Sequence, residues 1–209
     1  MEALLGMATI LPFGIMLELW VYHSASDGVH RVPARRCVFV VLFLCACAGI
    51  LATLGLPGIQ DIHPENWKEE LVLIPLLPML DNPLGSLKNL LLFVPIGFLW
   101  PLIWKSSTKQ TIAAGALYSL AVELLQLLNW RTTNLNDWLL NLAGAALGCA
   151  FFRLLQQRMP GAELWCPPAT AAQASPDGPL RYEKRICILL PWVSQFFFYP
   201  CVTGGITVF

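Results

Sequence analysis

Two pairs of polar side chains interrupt apolar runs in the middle of the chain, at spacings that suit chemistry. Glu123 and Gln126 lie three residues apart near the end of one run, so they share one face of a helix. Asp137 and Asn141 lie four residues apart at the start of the next run and share a face in the same way. Glu123 could act as a general acid or base. Asp137 is equally well explained as a helix N-cap, and Gln126 and Asn141 as hydrogen-bonding contacts between helices.

Two cations and a further amide could complete this group. Lys88 and Asn89 stand at the start of a third apolar run, and Arg131 lies in the polar loop between Glu123 and Asp137. An ionised carboxylate costs about 2.5–3.5 kcal/mol at the centre of a membrane helix, so we expect Glu123 to lie close to Arg131 or Lys88. We expect one ligand-binding site to be formed by Lys88, Asn89, Glu123, Gln126, Arg131, Asp137 and Asn141.

Neither a metal nor a cofactor is expected from the sequence. His63 lies between Asp61 and Glu65, but no second His follows at ligand spacing. The seven cysteines contain no C-x-x-C pair, which argues against a zinc ribbon or a thioredoxin-like redox motif. Most of them lie within apolar runs, where Cys behaves as a small hydrophobic residue.

The composition indicates the environment in which these residues must be positioned. Hydrophobic residues make up 56% of the 209 residues and charged residues only 12%, against about 25% in an average soluble chain. The mean hydropathy is +0.62. The net charge is zero, so the chain offers no basic face for nucleic acid. These values exclude a soluble domain and a disordered chain, and they predict a polytopic membrane protein.

The lengths of the apolar runs predict an all-α transmembrane bundle of five to six spans. A crossing helix needs about 20 apolar residues, and five runs provide them: 3–22, 37–56, 87–104, 111–128 and 137–155. A sixth run, 186–209, contains Pro191 and Pro200 and is predicted to be a kinked span. The short apolar run 71–80 is predicted to be re-entrant or interfacial. We therefore divide the chain into an N-terminal hairpin (1–56), a core (57–155), a linker (156–185) and a C-terminal span (186–209).

The distribution of Lys and Arg predicts the orientation in the cell membrane. One set of loops and helix ends carries ten of them: Arg31, Arg35, Arg36, Lys105, Lys109, Arg153, Arg158, Arg181, Lys184 and Arg185. The other set carries Lys68, Lys88 and Arg131. We therefore expect the N-terminus outside and the 156–185 loop in the cytoplasm. The predicted site residues then all fall at the outer membrane face.

The order and spacing of these motifs resemble the VanZ-like family, a group of bacterial integral membrane proteins. The resemblance extends from about residue 73 to residue 153 and rests on the following residues: Asn89, Phe93, Pro95, Gly97, Glu123, Gln126, Arg131, Asp137, Asn141, Gly144 and Gly148. The family often has two further acids where this chain has Asn134 and Asn136, which argues against a metal site. Gly144 and Gly148 are best explained as a helix-packing motif.

The family's namesake is associated with low-level resistance to the glycopeptide teicoplanin. The resemblance and the predicted site together favour a non-enzymatic cell-envelope protein that binds a membrane lipid, a lipid-linked cell-wall precursor or a lipoglycopeptide. One alternative is a membrane enzyme that modifies a lipid or undecaprenyl-type headgroup, with Glu123 as general acid or base. Another is a structural scaffold in which the polar residues only fix helix packing.

Overall fold

A computed structural model describes residues 1–24, 32–55, 71–72, 82–126, 133–159, 161, 166 and 180–200. Apart from one pair of two-residue strands, the regular structure in these residues is helical, which confirms the predicted all-α fold class. The helices are α1 (Glu2–Ser24), α2 (Ala34–Thr53), α3 (Pro83–Trp104), α4 (Thr108–Gln126), α5 (Leu135–Arg158) and α6 (Leu180–Val193), the last followed by a π-helical turn (Ser194–Phe198). Two short parallel strands, β1 (Leu71–Val72) and β2 (Thr133–Asn134), pair with each other.

Four of the described helices are long and apolar enough to cross a membrane: α1, α2, α3 and α5. Helix α4 forms where the fourth span was predicted, but it is not among these four because its first turn and its Glu123 and Gln126 make it more polar. Helix α6 begins at Leu180, six residues before the predicted sixth span. Most of the predicted segment 71–80 and all of residues 201–209 lie outside the described residues.

Small residues bring α1 and α2 into close antiparallel contact. An added Cβ at Gly6 would lie 2.6 Å from the Cβ of Ala52, and one at Gly14 would lie 3.0 Å from a methyl carbon of Leu44. A residue early in α1 therefore faces a residue late in α2, and the contacts proceed in opposite directions. Close backbone approach at small residues is the usual means by which membrane helices associate.

Helices α3 and α5 pack in parallel through three glycines. An added Cβ at Gly144 would collide with the carbonyl oxygen of Leu90, and one at Gly148 would collide with that of Val94. An added Cβ at Gly97 would collide with the carbonyl oxygen of Ala145. Leu90 of α3 thus lies opposite Gly144 of α5, and Val94, four residues later in α3, lies opposite Gly148, four residues later in α5. The two helices therefore run in the same direction. Gly144 and Gly148 on α5 therefore allow the backbones of α3 and α5 to come into contact.

The helix ends define two ends of the bundle. The carbonyl oxygen of Leu54, just after α2, accepts a hydrogen bond from Nε2 of Gln126 at 2.9 Å, so α2 and α4 finish at the same end. The start of α1 lies there too because of its contact with Ala52, and so do the starts of α3 and α5. We call this the Leu54 end, and the opposite one, where α2 begins, the Arg36 end.

Candidate functional site

A side-chain hydrogen bond fixes the register of α4 against α5 near the predicted site. Nδ2 of Asn141 donates to Oγ of Ser119 at 3.0 Å, and both side chains are fully buried. One turn away, an added Cβ at Gly115 would lie 2.6 Å from the Cβ of Ala145. Glu123 lies four residues after Ser119 in α4, and Asp137 lies four residues before Asn141 in α5. Because the two helices run in opposite directions, Glu123 and Asp137 lie at the same level. The two carboxyl groups therefore lie at the same depth, at the Leu54 end.

The residues around this level are buried. Glu123 is 4% exposed and Gln126, bonded to the carbonyl of Leu54, is 5% exposed. Asn136 is likewise buried. The indole Nε1 of Trp138 donates to the backbone carbonyl of Ala116 at 3.1 Å, which ties the start of α5 to the middle of α4. We call the group formed by Ser119, Glu123, Gln126, Asp137 and Asn141 the α4–α5 polar site.

Helix α3 places its two predicted site residues differently. Asn89 is half-buried. Lys88 is exposed, and it lies on the side of α3 away from Leu90 and Val94, the residues that contact α5. Lys88 is thus not part of the α4–α5 polar site. Arg131, the other predicted partner of Glu123, lies outside the described residues.

Lys88 instead borders an apolar groove between α1, α2 and α3. The groove has a volume of about 440 Å³, and its lining includes Met7, Gly49, Leu87 and Leu91. It lies at the Leu54 end, because Gly49 is near the end of α2 and Leu87 near the start of α3. We call it the Lys88 groove. Its combination of an apolar lining and one cationic side chain suits an amphiphile with an anionic group.

Comparison with known families agrees with the motif pattern. A family model described as VanZ/LLP1 matches residues 39–156, which is more than half of the chain. The chain belongs to the VanZ/LLP1 family. The match confirms the predicted resemblance and covers both the α4–α5 polar site and Lys88. No curated protein and no solved structure matches the chain. Among the described residues, no group of three or more His, Cys, Asp or Glu could hold a metal ion.

A buried charge cluster lies at the Arg36 end, outside the segment matched by the VanZ/LLP1 model. The guanidinium of Arg36 donates from Nη1 and Nη2 to the two carboxylate oxygens of Glu183, and both side chains are about 2% exposed. Glu18 of α1 lies beside this pair and is 3% exposed. The bidentate geometry is the strong form of an Arg–carboxylate contact. It joins α6 to α2.

Sequence reasoning did not identify this cluster. It used Arg36 only as one of the cations that set the orientation, and it placed Glu183 in the linker. The two residues are 147 positions apart, so no local spacing indicates their contact. The available signal was Glu18, an acid inside the first apolar run that requires a partner. Cys166, from the predicted linker, is also buried close to Arg36, and burial raises the pKa of its thiol.

Proposed function

We propose that this VanZ/LLP1 protein is a non-enzymatic membrane protein of the cell envelope that binds a lipid-linked or lipoglycopeptide ligand at the Leu54 end. The observation that supports this best is the Lys88 groove, in which a cation borders about 440 Å³ of apolar space. The apolar chain of the ligand occupies the groove, and its phosphate or carboxylate binds Lys88. The orientation predicted from the Lys and Arg distribution puts this end outside the cell.

The α4–α5 polar site is the second part of the proposal. It provides two buried amides, from Gln126 and Asn141, and one buried carboxyl group, from Glu123, at the same end of the bundle. Buried polar groups of this kind cost free energy in a membrane protein, so their presence indicates a role in helix packing or in function. In the proposal they hydrogen-bond the polar head of the ligand. Resistance to a glycopeptide such as teicoplanin is the phenotype that the family resemblance suggests for such binding.

Undecaprenyl phosphate is a suitable probe, because undecaprenol has the same chain without the anionic group. We expect saturable binding of the phosphate to the protein in nanodiscs, and binding at least tenfold weaker for undecaprenol. Lys88→Gln should remove that difference. Lys109→Gln is the matched control, since Lys109 is also exposed but lies at the start of α4, at the other end of the bundle. Equal binding of the two probes to the unmodified protein would refute the role of Lys88.

One structural observation favours the enzymatic alternative, namely that Glu123 and Asp137 share a depth. Two carboxyl groups at one level can divide the roles of general acid and general base. The same incubation distinguishes the two functions if the probe is extracted afterwards and analysed by mass spectrometry. Release of inorganic phosphate or a change in headgroup mass that is lost in Glu123→Gln supports the enzyme. Saturable binding of an unchanged probe supports the binding protein.

A further inference from the structure

A cleft of about 460 Å³ separates α4 from α6, and its volume is within the range of small-molecule sites. Residues of α4 and α6 form its two sides, and the buried side chains of Phe43 and Trp100, from α2 and α3, form its floor. Leu117 also lines it and has 66% of its surface exposed, so the cleft opens on the outside of the bundle, towards the bilayer. We call it the Lys184 cleft.

The cleft extends from the Arg36 end towards the middle of the bundle. Helix α4 finishes at the Leu54 end and therefore begins at the Arg36 end, where the ion pair with α2 also places the first turn of α6. Gln110 and Lys184 line the cleft near these two helix starts. Tyr118 and Trp192 follow eight residues later in each helix, which is about 12 Å deeper. Their ring centroids are 5.1 Å apart, so they bridge the cleft there.

Lys184 places a cation at the shallow end of the cleft. Its Nζ lies over the ring of Trp100, 4.6 Å from the centroid, and 5.8 Å from the centroid of Trp104. Since Trp100 is part of the floor, the ammonium is held beside the cleft. Among the described residues it forms no ion pair, because the adjacent Glu183 is bound to Arg36. An ammonium has three N–H donors, and those of Lys184 are available to a ligand.

Gln110 provides neutral donors on the α4 side of the cleft. Its Oε1 accepts a hydrogen bond from the backbone N–H of Ser107 at 3.0 Å, which holds the side chain against the first turn of α4. Within the described part of the chain, the NH₂ group of the same amide makes no hydrogen bond. Gln110 is exposed, so this group is accessible. The two sides of the cleft thus supply donors and no carboxylate.

The charges at the Arg36 end favour an anionic ligand. The described carboxyl groups at this end are those of Glu18 and Glu183, and both are buried. Exposed cations are more numerous there: Lys105, Lys109, Arg158 and Arg185. The accessible surface around the cleft is therefore positively charged, and basic surfaces between membrane helices attract anionic lipid headgroups.

The lining restricts the kind of anion. Apart from Lys184, Gln110 and the Tyr118 hydroxyl, the side chains that line the cleft are aliphatic or aromatic. A soluble anion such as inorganic phosphate would leave this apolar surface uncovered. The volume suits one acyl chain, and the opening towards the bilayer lets a second chain remain among the surrounding lipids. An anionic phospholipid meets both conditions.

We propose that the Lys184 cleft binds an anionic phospholipid, with the phosphate on the Lys184 ammonium and the Gln110 amide and one acyl chain between α4 and α6. The inference goes beyond the proposed function, since it concerns another ligand at the other end of the bundle. The indoles of Trp100 and Trp104 lie at the level of the bound phosphate, which agrees with the preference of Trp for the membrane–water interface. The bound lipid joins α4 to α6 along the cleft.

The test titrates the full-length protein in detergent with phosphatidylglycerol and with phosphatidylcholine of the same acyl chains, and native mass spectrometry measures the bound lipid. All proteins carry Lys88→Gln, so that the Lys88 groove does not contribute. We expect saturable binding that is at least tenfold tighter for phosphatidylglycerol, because the choline group brings a positive charge to a cationic surface.

Lys184→Gln should remove most of the difference between the two lipids, because it removes the ammonium that binds the phosphate. Arg158→Gln is the matched control. Arg158 is an exposed cation at the same end of the bundle, but it lies on α5, which contributes no residue to the cleft. The preference for phosphatidylglycerol should therefore survive in this variant. Equal binding of the two lipids before Lys184 is changed, or a preference that persists in Lys184→Gln, would overturn the proposal.

A second variant tests the cleft without altering a charge. Ala113 lines it and is exposed, so Ala113→Trp fills the cleft from the outside and should abolish saturable binding. Ala150→Trp, at an exposed position of α5, is its control and should bind as before. Unchanged binding in Ala113→Trp would contradict the site even if Lys184→Gln failed to fold.

Oleate tests whether the occupant is a phospholipid or a single-chain anion. A phospholipid also places its glycerol and second chain against the exposed rim near Leu117, so oleate should compete with phosphatidylglycerol at least tenfold more weakly than unlabelled phosphatidylglycerol does. If oleate binds more tightly than phosphatidylglycerol and depends on Lys184, the occupant is a fatty acid and the proposed phospholipid is wrong.

Discussion

Asn141 donates a hydrogen bond to Ser119, and this contact holds α5 against α4 at the level where the predicted site begins. We expect Asn141→Leu to lower the free energy of unfolding by about 0.6–1.7 kcal/mol, the average and the maximum measured for interhelical hydrogen bonds in a membrane protein. Unfolding in mixed micelles measures the change. Ser119→Ala and the double variant complete the cycle. If the two losses add fully in the double variant, the two side chains do not interact.

Close contact of α3 with α5 predicts a steric effect at Gly148. Gly148→Leu should strongly reduce the folded protein in the membrane, because even a Cβ would collide with the carbonyl oxygen of Val94. Ala150→Leu, on an exposed position of the same helix, should leave the amount unchanged. The yield of monodisperse protein after detergent extraction gives the comparison. Equal yields for the two variants would show that the helices do not pack in this register.

The buried ion pair predicts unequal effects of its two partners. Arg36→Met leaves Glu183 and Glu18 buried together without a cation, so we expect a loss of about 3–5 kcal/mol in the free energy of unfolding. Glu183→Gln should cost less, because Glu18 is near enough to take over as counter-ion of Arg36. Thermal unfolding of the purified variants ranks them. A larger loss for Glu183→Gln than for Arg36→Met would contradict this arrangement.

The α4–α5 polar site predicts a functional effect without a structural one at Glu123. Glu123→Gln keeps the size and part of the hydrogen bonding, so folded protein in the membrane should stay at the level of the unmodified protein. Binding of undecaprenyl phosphate, or glycopeptide resistance of a susceptible host that expresses the protein, should be lost. A variant that behaves as the unmodified protein in both assays would reduce the site to helix packing.

The orientation predicts where reporters appear. A reporter fused after Phe209 should be found outside the cell, and one inserted near Ser175 should be found inside, because most of the Lys and Arg residues flank the predicted cytoplasmic loops. Fusions to alkaline phosphatase and to a fluorescent protein report whether each position lies outside or inside the cell. The opposite pattern would invert the topology, and a cytoplasmic reporter at Phe209 alone would show that the C-terminal segment does not cross.

The helices could be predicted from the sequence because they depend on local properties. Run length and hydropathy locate α1, α2, α3 and α5 within a few residues of the observed bounds. The i, i+3 and i, i+4 spacings correctly put Glu123 with Gln126, and Asp137 with Asn141, on shared helix faces. Ser119, which the same periodicity places on the Glu123 face, is the residue that Asn141 contacts.

The contacts that sequence reasoning missed depend on how helices are rotated and on pairs far apart in the chain. Lys88 was expected beside Glu123 because both lie at one depth, but depth does not specify which way a side chain points around its helix. Rotation of α3 turns Lys88 toward α1 and α2. The Arg36–Glu183 pair and the β1–β2 pairing each join segments separated by two or more helices, and helical or strand periodicity does not predict such contacts.

The distance in sequence between Arg36 and Glu183 has a consequence for biogenesis. Glu183 is synthesised 147 residues after Arg36, which is roughly 7–30 s later at about 5–20 residues per second. During that interval Glu18, on the helix that precedes Arg36, is a carboxylate close to Arg36 that has already been made. Glu18 can therefore act as a temporary counter-ion while the first hairpin enters the bilayer. Arrival of α6 then transfers Arg36 to its permanent partner, so that the last of the described helices completes the electrostatics of the first two.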